Sequence, residues 1–269
     1  MHRPIIAALL LLQVRTADPI QRGLKESDFP RTIHVVDNVY TYEDLHAGDE
    51  KFTTTDMFVV TSDGVVVADG QGSPAATKGL VDAIAKVTPK PIKYVIIASD
   101  HGDHTAGNAS FPPDVRYVVH KNSKAILDAA RGGWTPPEDR TEVIDGRKMI
   151  ALGGEEIGVA FLGRAHTGGD LVVYVPSEKA AANGDILFKS MVGWQGDAFP
   201  NEHPATLDAL KKLDLDLILP GHGDHIQGKA NIDAAIANMQ AYLREEWRQA
   251  SEAKKAGASA DDALNFSTT

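Results

Sequence analysis

The sequence predicts an α/β protein in which two β-sheets pack face to face and helices cover their outer surfaces. Three observations favour this fold class. Short apolar or alternating segments, typical of strands, are interspersed with segments whose apolar residues recur at helical spacing. The middle of the chain is rich in strand patterns. The tetrapeptide His-Gly-Asp-His occurs at 101–104 and again at 222–225, each time after an apolar strand, which suggests two similar halves in one sandwich.

The first half of the chain alternates strands with helices. Apolar and polar residues alternate in 33–42, which predicts a strand. Ser62-Asp63-Gly64 separates two apolar runs, which predicts a hairpin. The run at 94–98 is typical of a strand buried on both faces. In order, the predicted elements are strands at 33–42, 57–60 and 65–67, a helix at 77–87, strands at 94–98 and 118–119, and a helix at 122–130.

The second half begins with strands and ends with helices. The predicted elements are strands at 141–144, 149–152, 157–162 and 171–174, a helix at 204–213, a strand at 215–219 and a long helix at 231–250. In the long helix, apolar residues fall at helical spacing: Ile232, Ile236, Met239, Leu243 and Trp247. We interpret this stripe as a face packed on a sheet, with a membrane-surface helix as the alternative.

Composition limits both the domain organisation and the chemistry. No linker or low-complexity tract divides the 269 residues, so a single domain over 18–269 is expected. The formal net charge of -10 argues against a nucleic-acid partner, because nucleic-acid binding needs a basic patch. The chain has no cysteine, so any metal must be bound by histidine and carboxylate, ligands that suit a catalytic site.

The N-terminus has the features of a signal peptide. Met1 to Pro4 is a short basic start, the apolar run from Ile5 to Leu12 follows, and Ala17 stands where cleavage is expected. Arg15 is unusual there, and a buried N-terminal strand or helix is the alternative. The run is too short to span a bilayer, so we predict no stable membrane anchor and a periplasmic or secreted protein.

Six candidate metal ligands follow predicted strands. Loops at strand ends commonly carry functional groups, and the glycines beside these residues let the backbone approach an ion. A lone histidine is usually a surface or turn residue, but the ordered combination of these motifs is a strong signal. The candidates are His101, Asp103, His104, His166, Asp185 and His222.

The motif Ser99-Asp100-His101-Gly102-Asp103-His104 resembles the signature His-x-His-x-Asp-His of the metallo-β-lactamase superfamily. The later loops around His166, Asp185 and His222 match the other motifs of that family in order and approximate spacing. The resemblance extends from about Ile33 to Gly223. It implies an αββα four-layer sandwich with a metal centre at one edge of the two sheets.

The resemblance also implies how the ligands are shared between two metal positions. One position is complete, with Asp103, His104 and His222, and with Asp185 bridging. The other keeps His101 and His166 but has Ser99 in place of its first histidine, and serine is a poor ligand for a divalent ion. We therefore expect about one tightly bound Zn²⁺, with a weak second ion as the alternative. Asp100 is interpreted as a turn-forming residue that points away from this position.

The resemblance and the ligand set predict a zinc-dependent hydrolase. Its metal-activated water would open an amide, lactone or ester bond in a small-molecule substrate. Asp103 would orient the water, and His101 would act as a general base if it is not a ligand. Thr167 and Asp170 are either supports of the His166 loop or ordinary turn residues. Apolar residues after Asp185 form either a pocket wall or loop packing: Phe188, Met191, Trp194 and Phe199. The alternative function is a metal-binding homologue without turnover.

Overall fold

Two β-sheets lie at the centre of the protein. The computed structural model describes residues 18–46, 51–129, 131 and 133–257, and the predicted signal segment 1–17 lies outside them. The first sheet consists of β1 (Arg31–Val36), β2 (Val39–Leu45), β3 (Thr53–Val60), β4 (Val65–Ala68), β5 (Ile92–Ile96), β6 (Arg116–His120) and β7 (Thr141–Ile144). These strands are neighbours in chain order, antiparallel from β1 to β4 and parallel from β4 to β7.

The second sheet has the spatial order β13-β12-β11-β10-β9-β8. It consists of β8 (Arg147–Leu152), β9 (Glu155–Phe161), β10 (Leu171–Val175), β11 (Ala180–Ala182), β12 (Leu217–Leu219) and β13 (Ile226–Gln227). Only β11 and β12 pair in parallel among the described strands of this sheet.

Helices cover the outer faces of both sheets. They are α1 (Pro74–Val87), α2 (Gly102–Thr105), α3 (Lys121–Asp128), α4 (His203–Leu210) and α5 (Lys229–Lys255). Helix α1 begins after Ser73, whose side chain accepts a hydrogen bond from the backbone N–H of Ala76, and Pro74 suits its first position. The apolar stripe of α5 is buried at four of its five predicted positions, whereas Trp247 is exposed.

Three hydrophobic clusters give the molecule four layers. One cluster lies between the sheets and joins residues such as Val59 and Val173. Another joins the outer face of the first sheet to α1, for example through Phe58 and Leu80. A further cluster packs α4 and α5 on the second sheet. The predicted α/β sandwich of αββα type is confirmed.

Three local predictions are wrong. The segment 33–42 is a hairpin rather than one strand, because Asp37 adopts a left-handed conformation with φ of 37° and reverses the chain. The loop at 102–105 forms the short helix α2. Strand β13 was not predicted, since its two residues are ordered by pairing with β12. Within the described residues no helix is long and apolar enough to cross a membrane.

Candidate metal centre

The six predicted ligands come together at one edge of the sandwich. They are carried by four segments: the turn after β5, the β9–β10 loop, the turn after β11 and the turn after β12. They fall into two groups, and the ligand atoms of each group lie within 4.8 Å of one another. We call these the His101 group (His101, His166 and Asp185) and the His104 group (Asp103, His104 and His222).

In the His104 group the ligand atoms surround a common point. His222 Nε2 lies 3.1 Å from Asp103 Oδ2, and His104 Nε2 lies 3.5 Å from the same oxygen. Asp185 approaches this group as well, with Oδ2 3.2 Å from His104 Nε2 and Oδ1 3.5 Å from His222 Nε2.

Asp185 belongs to the His101 group and also approaches the His104 group. His166 Nε2 lies 3.2 Å from His101 Nδ1 and 3.4 Å from Asp185 Oδ2. The buried Asp185 carboxylate lies within 3.5 Å of histidine nitrogens in both groups, so it could bridge two metal positions.

These spacings fit a tetrahedral metal ion. Ligand atoms about 2.0–2.1 Å from zinc are roughly 3.4 Å from one another in a tetrahedral shell. The pairs above are separated by 3.1 to 3.5 Å. Moreover, His104 Nε2 and Asp185 Oδ1 are buried without a hydrogen-bond partner among the described residues. Because buried polar atoms normally have partners, this arrangement fits a metal ion, which would satisfy both atoms.

Neighbouring groups fix the orientation of two rings. His104 Nδ1 lies 3.2 Å from Asp69 Oδ2, and His222 Nδ1 donates to the carbonyl oxygen of Thr53 over 2.8 Å. Each interaction leaves Nε2 directed at the centre, as is usual for histidines that bind metals. Sequence reasoning missed Asp69. Since Asp69 follows β4, the parallel neighbour of β5, its position beside the His104 motif could have been inferred from the end of the strand.

The charges in the cluster are complementary. Burial alone would lower the pKa of His104, but Asp185 and Asp103 outweigh it and hold that pKa well above its usual range. Burial would likewise raise the pKa of Asp103 and Asp185, but the nearby histidines lower both. Burial lowers the pKa of His166 to about 4, which keeps its imidazole neutral. The aspartates that favour a proton on His104 would equally favour a zinc ion in its place, and carboxylates and neutral imidazoles would then be the donors of that ion.

Ser99, the residue predicted to stand in place of the first histidine, lies in the interior. Ser99 is fully buried, and its Oγ has no hydrogen-bond partner within the described chain. Asp100 lies in the pocket wall beside Ser123 and Thr167 rather than in a simple turn. Thr167 donates to the Asp170 carboxylate from its backbone N–H over 2.6 Å and from its hydroxyl over 2.7 Å, which closes the His166 loop.

A cavity of about 1600 Å³ opens over the centre. Both predicted catalytic residues, Asp103 and His101, line it, with side chains 21% and 17% exposed. The four aromatic and apolar residues predicted after Asp185 also line it: Phe188, Met191, Trp194 and Phe199. Sequence reasoning missed three further residues that line the same cavity: His46 and Phe52 from a distant part of the chain, and Asp197 between Trp194 and Phe199.

The sequence matches the family described as the metallo-beta-lactamase superfamily over residues 50–222. This chain belongs to the metallo-β-lactamase superfamily. It is 28% identical over 216 residues to metallo-beta-lactamase IND-1 of Chryseobacterium indologenes, which covers 78% of this chain and 88% of that protein. It is 26% identical over 171 residues to 2,4-dinitroanisole O-demethylase subunit alpha of Nocardioides sp. (strain JS1661), which covers 59% of this chain and 49% of that protein.

Solved structures of the superfamily have the same fold. A metallo-beta-lactamase from Pontibacter korlensis superposes with a TM-score of 0.69 at 21% identity, covering 78% of this chain and 98% of that one. A metallo-beta-lactamase from Erythrobacter litoralis gives 0.67 at 17% identity, covering 78% and 95%. Membership of the metallo-β-lactamase superfamily supports a metal-dependent hydrolase. The individual ligand assignments stay predictions.

Proposed function

We propose that the protein is a zinc-dependent hydrolase that opens an amide, lactone or ester bond in a small molecule. One observation carries the proposal. Six histidine and aspartate side chains from four segments form two groups at the floor of an open cavity, and their ligand atoms are spaced as in a tetrahedral metal shell. When bound, zinc supplies Lewis acidity, which polarises a carbonyl group and makes water nucleophilic near neutral pH.

The chain's own residues would hold and orient the reacting groups. His104 and His222 present Nε2 because Asp69 and Thr53 engage the opposite ring nitrogen. Asp103 is more exposed to the cavity than Asp185, so its carboxylate would orient the attacking water. His101 would bind an ion through Nδ1, or act as a general base if that position is not occupied.

The cavity walls favour a substrate with an apolar body. Phe188 is almost fully buried and fixed, whereas Trp194 is 65% exposed beside His101, with ring centroids 5.5 Å apart. An exposed indole next to a reactive centre can cover an apolar group of a ligand and exclude water from it.

A substrate panel with chelation tests the proposal. The purified protein is assayed against a chromogenic cephalosporin, a lactone and an aryl ester, before and after metal removal and after zinc is restored. We expect hydrolysis of at least one class, lost with the chelator and recovered with zinc. Asp103→Asn should lower kcat/KM by more than about 100-fold, since even partners outside the ligand shell contribute 10- to 100-fold.

The control for this test is Asp114→Asn, at an exposed position outside the cavity, which should retain full activity. Zinc binding without turnover on any substrate class would favour the alternative of a metal-binding protein without catalysis. Hydrolysis that persists in metal-free protein would contradict the proposal.

We also propose that residues 1–17 are removed on export and that the mature protein begins near Asp18. The basic start and the Ile5 to Leu12 run support this. N-terminal sequencing of protein from the periplasm of an expressing cell should begin near Asp18. Intact Met1 on soluble cytoplasmic protein would contradict export.

A further inference from the structure

A buried ion-pair network lies behind the His222 end of the centre. The Arg22 guanidinium, whose side chain is 4% exposed, pairs with the Glu43 carboxylate, which is 3% exposed. Arg22 Nη1 also donates to Thr53 Oγ1 over 3.1 Å, and Arg22 Nε donates to Asp224 Oδ1 over 2.9 Å. Arg22 therefore joins strand β2, strand β3 and the loop after β12, although it belongs to none of them.

Two of these contacts affect His222: one involves the residue that accepts its hydrogen bond, and the other involves the loop that carries it. Thr53, whose hydroxyl accepts from Arg22, is the residue whose carbonyl accepts from His222 Nδ1. Asp224, held by Arg22 Nε, is two residues beyond His222 in the same turn. One guanidinium thus fixes both the acceptor that orients the ring and the loop that carries it.

The aspartates of the two His-Gly-Asp-His copies consequently have different roles. In the first copy the aspartate, Asp103, faces the centre. In the second copy the corresponding aspartate, Asp224, turns away from the centre toward Arg22. A guanidinium with fixed planar donors suits this task, because it can satisfy several acceptors at once in one geometry.

We propose that Arg22 is a positioning residue that fixes His222, and with it the His104 group, from a segment outside both sheets. This inference rests on the proposed function, since it requires His222 to bind the metal. The same segment also reaches the substrate side, because Asp18 and Gln21 line the cavity. Residues 18–22 therefore contribute to the wall of the proposed active site.

The test compares zinc affinity among four variants, measured by competition with a chromophoric chelator. Asp224→Ala removes the acceptor that links Arg22 to the loop but leaves Glu43 paired with both arginines. Arg22→Met removes all the contacts, and Arg22→Lys retains only the charge. Arg31→Met is the matched control: Arg31 pairs with Glu43 over 2.6 Å and makes no hydrogen bond to Thr53 or Asp224 among the described residues.

We expect Asp224→Ala and Arg22→Met to weaken zinc binding by about 10-fold, the lower end of the effect of partners outside the ligand shell. The zinc affinity of Arg22→Lys should lie between that of these variants and that of the wild type, and Arg31→Met should bind zinc within about twofold of the wild type. If Arg22→Met does not fold because the buried Glu43 loses one of its two arginine partners, Asp224→Ala decides the question.

Wild-type zinc affinity in Asp224→Ala would overturn the inference while leaving the proposed hydrolase intact. The inference would also be overturned if Arg31→Met lost as much affinity as Arg22→Met, since the network would then act only through general stability. A wild-type protein that binds no zinc would overturn both the inference and the proposed function.

Discussion

Replacing Gly221 with alanine would add a methyl group beside two of the proposed ligands, Asp185 and His104. A Cβ at this position would lie 2.6 Å from Asp185 Oδ1, 2.7 Å from His104 Cε1 and 3.2 Å from the Gly184 carbonyl oxygen. Ordinary contact begins at 3.4 Å, so the methyl group is about 0.8 Å too close to the carboxylate and 0.7 Å too close to the ring. Both side chains are buried and cannot swing into solvent.

We therefore expect a large loss of activity and zinc affinity and a moderate loss of folding stability. Displacing a catalytic group by about 1 Å can lower a rate by 100-fold, so kcat/KM should fall by about that factor. Overpacking typically costs 1–3 kcal/mol, which lowers the melting temperature by several degrees without unfolding the protein. Zinc affinity should fall as well, because the displaced atoms belong to the proposed ligand set.

The assay measures kcat/KM on the best substrate of the panel, zinc affinity by chelator competition, and the melting curve. Gly146→Ala is the control, since a Cβ there meets nothing within 4 Å. We expect the control to match the wild type in all three measurements. Wild-type activity and affinity in Gly221→Ala would refute the placement of Asp185 and His104 at a metal ion.

Three further predictions follow from the same geometry. Ser99→His should raise the zinc stoichiometry, measured by elemental analysis, by completing the His101 group; a variant that binds no additional zinc would show that Ser99 is not at the missing ligand position. Chelation should lower the melting temperature by about 5–10 °C, since zinc at 100 times its Kd stabilises by about 2.7 kcal/mol; an unchanged melting curve would contradict a metal that links four segments. Burial lowers the pKa of His203 from 6.5 to about 4, so the neutral form stabilises the fold and this contribution is lost as pH falls from 6.5 toward 4. In chelated protein, His203 alone should contribute roughly 2 kcal/mol to the loss of unfolding free energy between pH 7 and pH 5, so the loss measured by urea unfolding should be smaller by about that amount in His203→Gln; equal losses would refute this assignment.

Local sequence patterns were sufficient to predict most of the fold and the positions of the six site residues. Strand and helix periodicity can be detected from residues that are close in sequence. Accordingly, the predicted strand 141–144 coincides with β7, and the helix predicted at 77–87 lies within α1. The candidate ligands were selected because histidine and aspartate recur beside glycines after predicted strands, in the order typical of a known family. The hairpin turn at Asp37 was missed because alternation continues on both sides of it.

Long-range partners could not be predicted from local patterns. Asp69 is separated from His104 by 35 residues, and Arg22 is separated from Asp224 by 202. Arg22 stands in no distinctive local motif, so only the folded chain reveals its contacts. Asp69 could be placed only through the neighbouring strands β4 and β5, and the bridging position of Asp185 was expected only from the resemblance to a known family.

The metal content of the centre is tested most directly by anomalous diffraction at the zinc edge from crystals of the zinc-loaded protein. The account predicts a strong peak about 2.0–2.2 Å from the ligand atoms of Asp103, His104 and His222, with Asp185 in the same shell. A weaker or absent peak between His101 and His166 is expected, because Ser99 replaces the third histidine there. No peak among these six side chains, or a zinc ion bound elsewhere in the chain, would contradict the account.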